Sequence, residues 1–265
     1  MKSQLFTPVR VQYASDLHLE YPRNREFLTL NPIVPVGDIL ILAGDIVSDK
    51  HREKIEPLYE EWRAKFKYII SLPGNHEFYG GNAGDFYPDF ETMLAPNHFL
   101  VNNRTLVLDG VRFIASILWT EIPPEMTKRL ERASNDYRQI KFSKHGTEAA
   151  NLTAADVNEF HRLSREFLQT ELKKPFAGKT VVVTHHVPSF SLLGFAAYYS
   201  DVLKYYCASN LNKLIKETSA DYWIFGHFHV SVDKRLHGTH FVSNPLGYMT
   251  EEQHREFSPI AHFIL

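Results

Sequence analysis

Runs of apolar residues alternate with polar loops along this chain. Five of these runs lack the strict alternation of a half-exposed strand, which predicts strands buried on both faces. They are Val9–Ala14, Ile39–Gly44, Tyr68–Leu72, Val181–His186 and Tyr222–His229. Three later runs alternate more and predict further strands, some of them antiparallel, beginning at Val111, Val230 and Thr239.

Apolar residues at spacings of three and four predict helices between the strands. The clearest are Glu53–Phe66 and Thr153–Leu172, and the second opens with a Thr-x-x-Asp capping signal. A third helix is predicted around Leu211–Ile215. The segment Glu121–Asn151 is more polar, and we interpret it as a helical insertion or flap. Together these elements predict a single α/β domain, residues 1–265, with a mixed β core.

Composition excludes several classes of protein. The 265 residues suffice for one large domain or at most two, and 44% of them are hydrophobic. The formal net charge of -2 provides no global basic field, so a nucleic-acid partner is not expected. The single cysteine, Cys207, allows no disulfide within the chain and is compatible with a reducing compartment. No apolar run approaches the ~18 residues of a membrane span, and residues 1–10 lack the apolar segment of a signal peptide. We therefore expect a cytoplasmic protein that does not associate with membranes; its oligomeric state is left open.

The five buried strands share a chemistry at the point where each one ends. Oxygen and imidazole donors lie there in the order Asp16 and His18; Asp45; Asn75 and His76; His185 and His186; His227 and His229. Strand ends at one edge of a sheet converge in space, so donors distant in sequence are expected to form one site. In an extended segment residues two apart point the same way, so Asp16 and His18 are expected to share one ion.

Each motif taken alone has an ordinary structural explanation. Asp45 is suited to capping a helix, and the Pro73–Asn75 segment is rich in turn formers. His185 is compatible with a hydrogen-bonded histidine in the core. The coincidence of such residues at five successive strand ends favours a metal site over these explanations.

The donor types indicate which metals would bind. The donors outnumber the ligands of one tetrahedral zinc and include no cysteine, which argues against a structural zinc site. Mixed imidazole and oxygen donors suit Mn, Fe, Zn or Ni rather than calcium. Two divalent metal ions sharing one carboxylate is the economical arrangement. Such a centre binds phosphate and lowers the pKa of a bound water, which yields a hydroxide nucleophile.

The series D-x-H, G-D, G-N-H-E, an isolated histidine and G-H-x-H resembles the motifs of the calcineurin-like metallophosphoesterases. It runs from Asp16 to His229, and SNPLGY at Ser243–Tyr248 is similar to the SNPRGY motif of a bacterial branch of that family. The resemblance implies a four-layer sandwich of two mixed β-sheets flanked by helices. It also implies hydrolysis of a phosphate monoester or diester, a small phosphoester substrate, by a metal-bound hydroxide.

The resemblance implies a role for each motif residue. One ion is held by Asp16, His18, Asp45 and His229, and the other by Asp45, Asn75, His185 and His227, with Asp45 bridging. His76 is not a ligand but contacts the phosphate or the leaving-group oxygen. Glu77 is expected to orient His76 or a ligand.

Some positions depart from the family pattern or have two interpretations. Phe228 replaces the usual threonine and is expected to pack or to rim the site, and Leu246 replaces the arginine of SNPRGY. His186 and Arg138 are candidate substrate contacts; the alternatives are a supporting role for His186 and a solvated helix position for Arg138. Two alternative functions stay open, a non-catalytic metal-binding scaffold and a nuclease of the same superfamily. The loop Leu192–Asp201 and the insertion Glu121–Asn151 are expected to form walls of the substrate pocket.

Overall fold

The computed structural model describes residues 8–143, 148–194, 200–218 and 220–265, and two six-stranded sheets form its centre. In spatial order, the first sheet contains His262–Ile264 (β14), Arg10–Ala14 (β1), Ile39–Ala43 (β2), Tyr68–Leu72 (β3), His98–Asn102 (β5) and Phe90–Ala95 (β4). The four inner strands run parallel, whereas β14 and β4 pair antiparallel at the edges. This sheet is therefore mixed.

The second sheet repeats this plan. In spatial order it contains Val232–Leu236 (β12), Thr239–Ser243 (β13), Tyr222–Ile224 (β11), Lys179–Thr184 (β10), Val111–Ser116 (β7) and Arg104–Leu108 (β6). Again the inner four strands are parallel and the edge strands β12 and β6 are antiparallel. A separate short pair joins Lys141–Phe142 (β8) to Ala150–Asn151 (β9).

Helices cover the outer faces of the sheets. The α-helices are Pro22–Leu30 (α1), Glu56–Lys65 (α2), Thr127–Ala133 (α3), Asp136–Gln139 (α4), Ala154–Lys173 (α5), Asp201–Cys207 (α6) and Asn212–Glu217 (α7). Short 3-10 helices occur at Asp49–Ile55, His76–Phe78, Ala83–Phe86, Pro124–Met126, Phe190–Leu192 and Glu252–Arg255. The predicted capping box is confirmed, because Thr153 accepts from the Asp156 N–H and Asp156 accepts in return from the Thr153 N–H.

Successive residues of one strand enter different parts of the core, which explains the continuous apolar runs. In β2, Ile39 and Ile41 join a cluster shared with Val181 and Val183 of β10, between the two sheets. The side chain of Leu40, between them in sequence, packs in a second cluster that contains residues of α1 and α2. A third cluster lies between the second sheet and helices α5 and α7. The resulting layers, helices–sheet–sheet–helices, confirm the predicted four-layer sandwich.

The sequence predicted the central strands of the two sheets well, but it predicted the ends of several elements and most of the edge strands poorly. The apolar run at Tyr222–His229 contains a strand only over its first three residues. The predicted helix Glu53–Phe66 begins as a 3-10 helix, and the α-helix proper starts at Glu56 with a proline in its first turn. The edge strands β4, β6 and β14, the inner strand β5, and helix α1 were not predicted. In the described part of residues 121–151 the chain forms short helices and the β8–β9 pair, and the domain organisation stays a prediction.

Within residues 8–143, 148–194, 200–218 and 220–265, no helix has both the length and the apolar character needed to cross a bilayer.

Candidate metal centre

The loops after five parallel strands, three in the first sheet and two in the second, bring the predicted ligands together. Asp16, His18 and His229 offer ligand atoms that all lie within 4.8 Å of one another, and so do Asp45, His185 and His227. Each of these groups takes residues from both sheets. The two sets are the ones that the family resemblance assigns to separate ions.

Asn75 joins the second group. Its Oδ1 lies 3.2 Å from His185 Nε2, and the residue is 1% exposed. Asp45 lies between the two groups, with Oδ2 3.9 Å from His18 Nε2 and Oδ1 3.5 Å from His185 Nε2. A carboxylate that turns one oxygen toward each group has the geometry of a bridging ligand.

The backbone of the predicted ligands is strained. Left-handed φ angles of 53° at Asp16, 48° at His18, 53° at Asp45, 68° at His227 and 51° at His229 occur in non-glycine residues. Such conformations are uncommon and cost of order 1–3 kcal/mol each, and they cluster at functional sites. The expectation that Asp16 and His18 share a face of an extended segment was wrong. Two left-handed residues, rather than a pleated strand, place these side chains together.

Two glycines allow the carboxylates to approach the main chain. A Cβ atom at Gly74 would lie 2.2 Å from Asp45 Oδ1, and one at Gly226 would lie 2.6 Å from Asp16 Oδ2. Both carboxylates also accept hydrogen bonds from the backbone. The His76 N–H donates to Asp45 Oδ1 at 2.8 Å, and the His227 N–H donates to Asp16 Oδ1 at 2.9 Å. A side chain at either glycine would therefore displace an aspartate.

Two glutamates that sequence reasoning missed hold the histidines of the first group. Glu20 Oε1 lies 2.8 Å from His76 Nδ1 and 3.3 Å from His18 Nδ1, and Glu251 Oε2 lies 2.9 Å from His229 Nδ1. Because a carboxylate only accepts, each of these Nδ1 atoms donates. The Nε2 atoms of His18 and His229 are then directed toward each other, 3.0 Å apart. Glu20 lies two residues after the D-x-H motif, but no sequence pattern indicated Glu251.

A buried carboxylate of the predicted insertion orients Asn75. Asp136, 4% exposed, accepts from Asn75 Nδ2 at 2.9 Å and from the Tyr79 hydroxyl at 2.6 Å. Since the amide nitrogen of Asn75 is engaged there, its oxygen is turned toward His185. Asp136 lies two residues before Arg138, the candidate that sequence reasoning named in this segment instead.

The remaining candidate residues lie outside the ligand groups. Arg138 is exposed, and among the described residues its guanidinium donates to the Arg132 carbonyl and to Asn135 Oδ1 rather than to the ligand groups. His186 is buried behind the ligands, with its ring 4.2 Å from that of His227 and its Nδ1 3.2 Å from the Ile117 carbonyl. These positions correspond to the alternatives considered for both, a surface arginine and a supporting histidine.

The three other residues considered in the motifs have structural roles. Glu77 accepts the N–H groups of Asp45, Ile46 and Gly74, so it holds the ligand loops rather than His76. Phe228 packs against the third core cluster, and Leu246 is fully buried in the second. The aromatic residues of the loop 192–201, at positions 195, 198 and 199, lie outside the described residues.

Charges within the site shift the pKa values of its histidines in opposite directions. Burial alone would lower the pKa of His185 and His229. The neighbouring carboxylate of Asp45 nevertheless raises the pKa of His185 to about 9, and hydrogen bonds to Asp16 and Glu251 raise the pKa of His229 to about 10. Burial and the adjacent histidines hold the pKa of His227 well below its usual range. The carboxylates of this site therefore attract positive charge, as protons or as cations.

The donors fit a pair of metal ions. If His18 and His229 were both neutral with Nδ1 as donor, their Nε2 lone pairs would point at each other; a proton on His229 or a bound cation removes this repulsion. His227 Nε2 is buried and has no hydrogen-bond partner among the described residues. Unpartnered buried nitrogens are costly, and metal coordination satisfies them. Metal binding would displace the protons that the carboxylates hold on His185 and His229.

The fold and this His–Asp centre define a class of metal-binding α/β hydrolases. A family model described as calcineurin-like phosphoesterase matches residues 9–231. The chain therefore belongs to the calcineurin-like phosphoesterases, metal-dependent enzymes that hydrolyse phosphoesters.

Individual proteins resemble this chain in sequence or in structure. The chain is 29% identical over 278 residues to the uncharacterized protein L509 of Acanthamoeba polyphaga mimivirus, and the match covers 95% of each. Phosphopantetheinyl hydrolase from Mycobacterium tuberculosis has a similar structure, with a TM-score of 0.66 and 16% identity, over 96% of this chain and 95% of that one. A dimetal phosphatase from Danio rerio has a TM-score of 0.51 and 13% identity, over 97% of this chain and 99% of that one. At these identities the two structures support the fold.

Proposed function

We propose that this protein hydrolyses a phosphate monoester or diester with two divalent ions, Mn, Fe, Zn or Ni, held in the groups described above. Asp16, His18 and His229 hold one ion, and Asn75, His185 and His227 hold the other. Asp45 bridges them. The observation that carries the proposal is the position of Asp45, whose two oxygens are directed toward two separate buried groups of donors.

The residues that surround the two ions would hold them in fixed positions. When bound, the ions supply positive charge for the phosphoryl oxygens and lower the pKa of water. The carboxylates and imidazoles would keep the ions in fixed positions, because backbone N–H groups donate to the two aspartates, and Glu20 and Glu251 accept from the Nδ1 atoms of His18 and His229. A prearranged site of this kind does not have to reorganise as charge develops.

His76 is the residue we propose to act on the substrate directly. Its Nδ1 donates to Glu20, and its Nε2 lies 3.0 Å from the hydroxyl of Tyr248. His76 also lines a cleft beside the ligand groups. An imidazole in this position can donate a hydrogen bond or a proton to a phosphoryl or leaving-group oxygen. A substrate oxygen that binds at His76 Nε2 would either replace the Tyr248 hydroxyl there or lie beside it.

Purified protein supplied separately with Mn²⁺, Fe²⁺, Zn²⁺ and Ni²⁺ should hydrolyse members of a panel of aryl phosphomonoesters and phosphodiesters. Metal analysis of the same samples should give two equivalents per chain. Treatment with a chelator should abolish the activity, and adding the metal back should restore it. A folded, metal-loaded protein that cleaves no ester of a broad panel would contradict the proposal and favour the scaffold alternative.

The two histidines of the GHFH motif should serve different ions. His229→Ala should chiefly remove the ion of the Asp16 group, and His227→Ala the ion of the Asp45 group, so each variant should retain about one equivalent. Metal content measured by mass spectrometry at increasing dialysis times checks this. His237→Ala, a histidine in the exposed β12–β13 turn, is the matched control and should retain both ions. The double variant His227→Ala/His229→Ala should lose both ions, and retention of one equivalent in it would show that the two histidines share one ion.

A further inference from the structure

A cleft with aromatic walls opens beside His76. It has a volume of about 440 Å³, and its walls include Tyr21, Tyr79, Tyr206, Tyr248, Leu130 and Leu203. Since His76 is among its lining residues, the cleft begins where the leaving group of a bound phosphoester would be. Its volume lies within the range of small-molecule sites, which is about 300–1,000 Å³.

Four tyrosines line the described part of this cleft, and the hydroxyls of three of them already have partners among Asp136, Asn75 and His76. The Tyr79 hydroxyl donates to Asp136 at 2.6 Å, and the Tyr206 hydroxyl lies 3.4 Å from Asn75 Nδ2. The Tyr248 hydroxyl lies 3.0 Å from His76 Nε2. Aromatic walls of this kind bind rings and apolar chains, and they discriminate by shape rather than by charge.

The described walls of this cleft contain no lysine, arginine, aspartate or glutamate. A leaving group with its own phosphate or carboxylate would lose its water in the cleft, where the described lining offers no lysine or arginine and the one imidazole, His76, faces the scissile phosphate in the proposed function. A nucleic-acid backbone would likewise lack the lysines and arginines that neutralise its phosphates. Arg23 lies farther out, in an adjoining cleft beyond Tyr21 and Tyr248 where it is the one charged residue of the described lining.

We propose that the tyrosine-lined cleft binds the leaving group of the substrate, and that this group is an uncharged alcohol with a ring or an apolar body. The inference rests on the proposed function, because it assigns the substrate class of the same centre. The scissile phosphate is then the only anionic group of the substrate that lies within the site.

Two pairs of esters test this inference. Phenyl phosphate is compared with 4-carboxyphenyl phosphate, and benzyl phosphate with 4-carboxybenzyl phosphate, so that each pair breaks the same kind of ester bond and differs in the charge of the leaving group. The value of kcat/KM should be at least about tenfold higher for the uncharged leaving group in each pair. Calorimetric binding of phenylphosphonate and of its 4-carboxy analogue to the metal-loaded protein gives a second measurement that does not depend on turnover, and the same preference is expected.

A lysine placed in the cleft should reverse this preference. Ala133 lies at the exposed C-terminal end of α3 and lines the cleft, so Ala133→Lys introduces a cation at a position where helices tolerate one. It should raise relative use of the carboxylated ester severalfold, whereas the uncharged control Ala133→Gln should not. Equal or better use of charged leaving groups by the wild-type protein would overturn this inference alone. A metal-loaded protein that hydrolyses none of the esters would overturn the proposed function, and the inference with it.

Discussion

Asp45→Asn should remove both metal ions and lower kcat/KM by at least about 10³-fold, about 4 kcal/mol of transition-state stabilisation. Asp45 turns one oxygen toward each ligand group, and its Oδ1 is also held by the His76 N–H at 2.8 Å. Asparagine keeps the shape but offers one oxygen instead of two and no negative charge. Both ions would therefore lose a shared ligand and the charge that attracts them.

Metal content by mass spectrometry, together with kcat/KM for the best ester of the panel, measures this effect. Circular dichroism of the same sample distinguishes loss of metal from loss of fold. Asp233→Asn is the matched control, since Asp233 is a carboxylate on β12 with a largely exposed side chain. It should retain two ions and full activity. An Asp45→Asn protein that keeps both ions would refute the bridging role.

Replacing His76 with asparagine should lower kcat by about 10²–10⁴-fold and leave two metal ions bound. The reason is that His76 contributes a donor toward the substrate and does not belong to the two ligand groups of the proposed centre. The metal count is informative because His76 also forms a third group of possible donors, with His18 and Glu20. If His76→Asn loses an ion, His76 is a ligand and its proposed catalytic role is wrong.

Substitutions at the two residues that contact His76 distinguish the effect of holding the imidazole in place from the effect of the imidazole on the substrate. Tyr248→Phe removes only the hydroxyl next to Nε2 and should cost less activity than His76→Asn. Glu20→Gln keeps an acceptor for Nδ1 without the charge, and it should lower kcat while both ions remain. An activity loss in Tyr248→Phe as large as in His76→Asn would identify the tyrosine hydroxyl, and not the imidazole, as the group that acts on the substrate.

Much of the candidate site was predictable because it depends on local sequence. A strand buried on both faces has to be apolar throughout, so polar donors directly after it stand out; β2 followed by Asp45 is an example. The order of the motifs along the chain indicated the family, and the match to the family model confirmed that prediction. The four-layer fold was implied by that resemblance, since apolar runs alone do not reveal how many sheets they form.

Other parts of the site depend on contacts that no local pattern encodes. Glu251 reaches His229, and Tyr248 reaches His76 across 172 positions of sequence. Asp136 reaches Asn75 from a segment whose polar composition indicated only an insertion. In each case the sequence contains the residue but not the direction of its side chain, which is set by the packing of a distant loop.

The sequence by itself therefore determined the donors, their order along the chain and the family to which the chain belongs. The resemblance implied a grouping of these donors, but only the tertiary structure brings the members of each group together, because the groups combine loops from two sheets that face each other. It also decided their orientation, since the left-handed backbone of Asp16, His18 and His229 and the carboxylates behind the imidazoles set where each donor atom points. Local sequence constrains which residues follow a strand, whereas long-range packing constrains which of them meet.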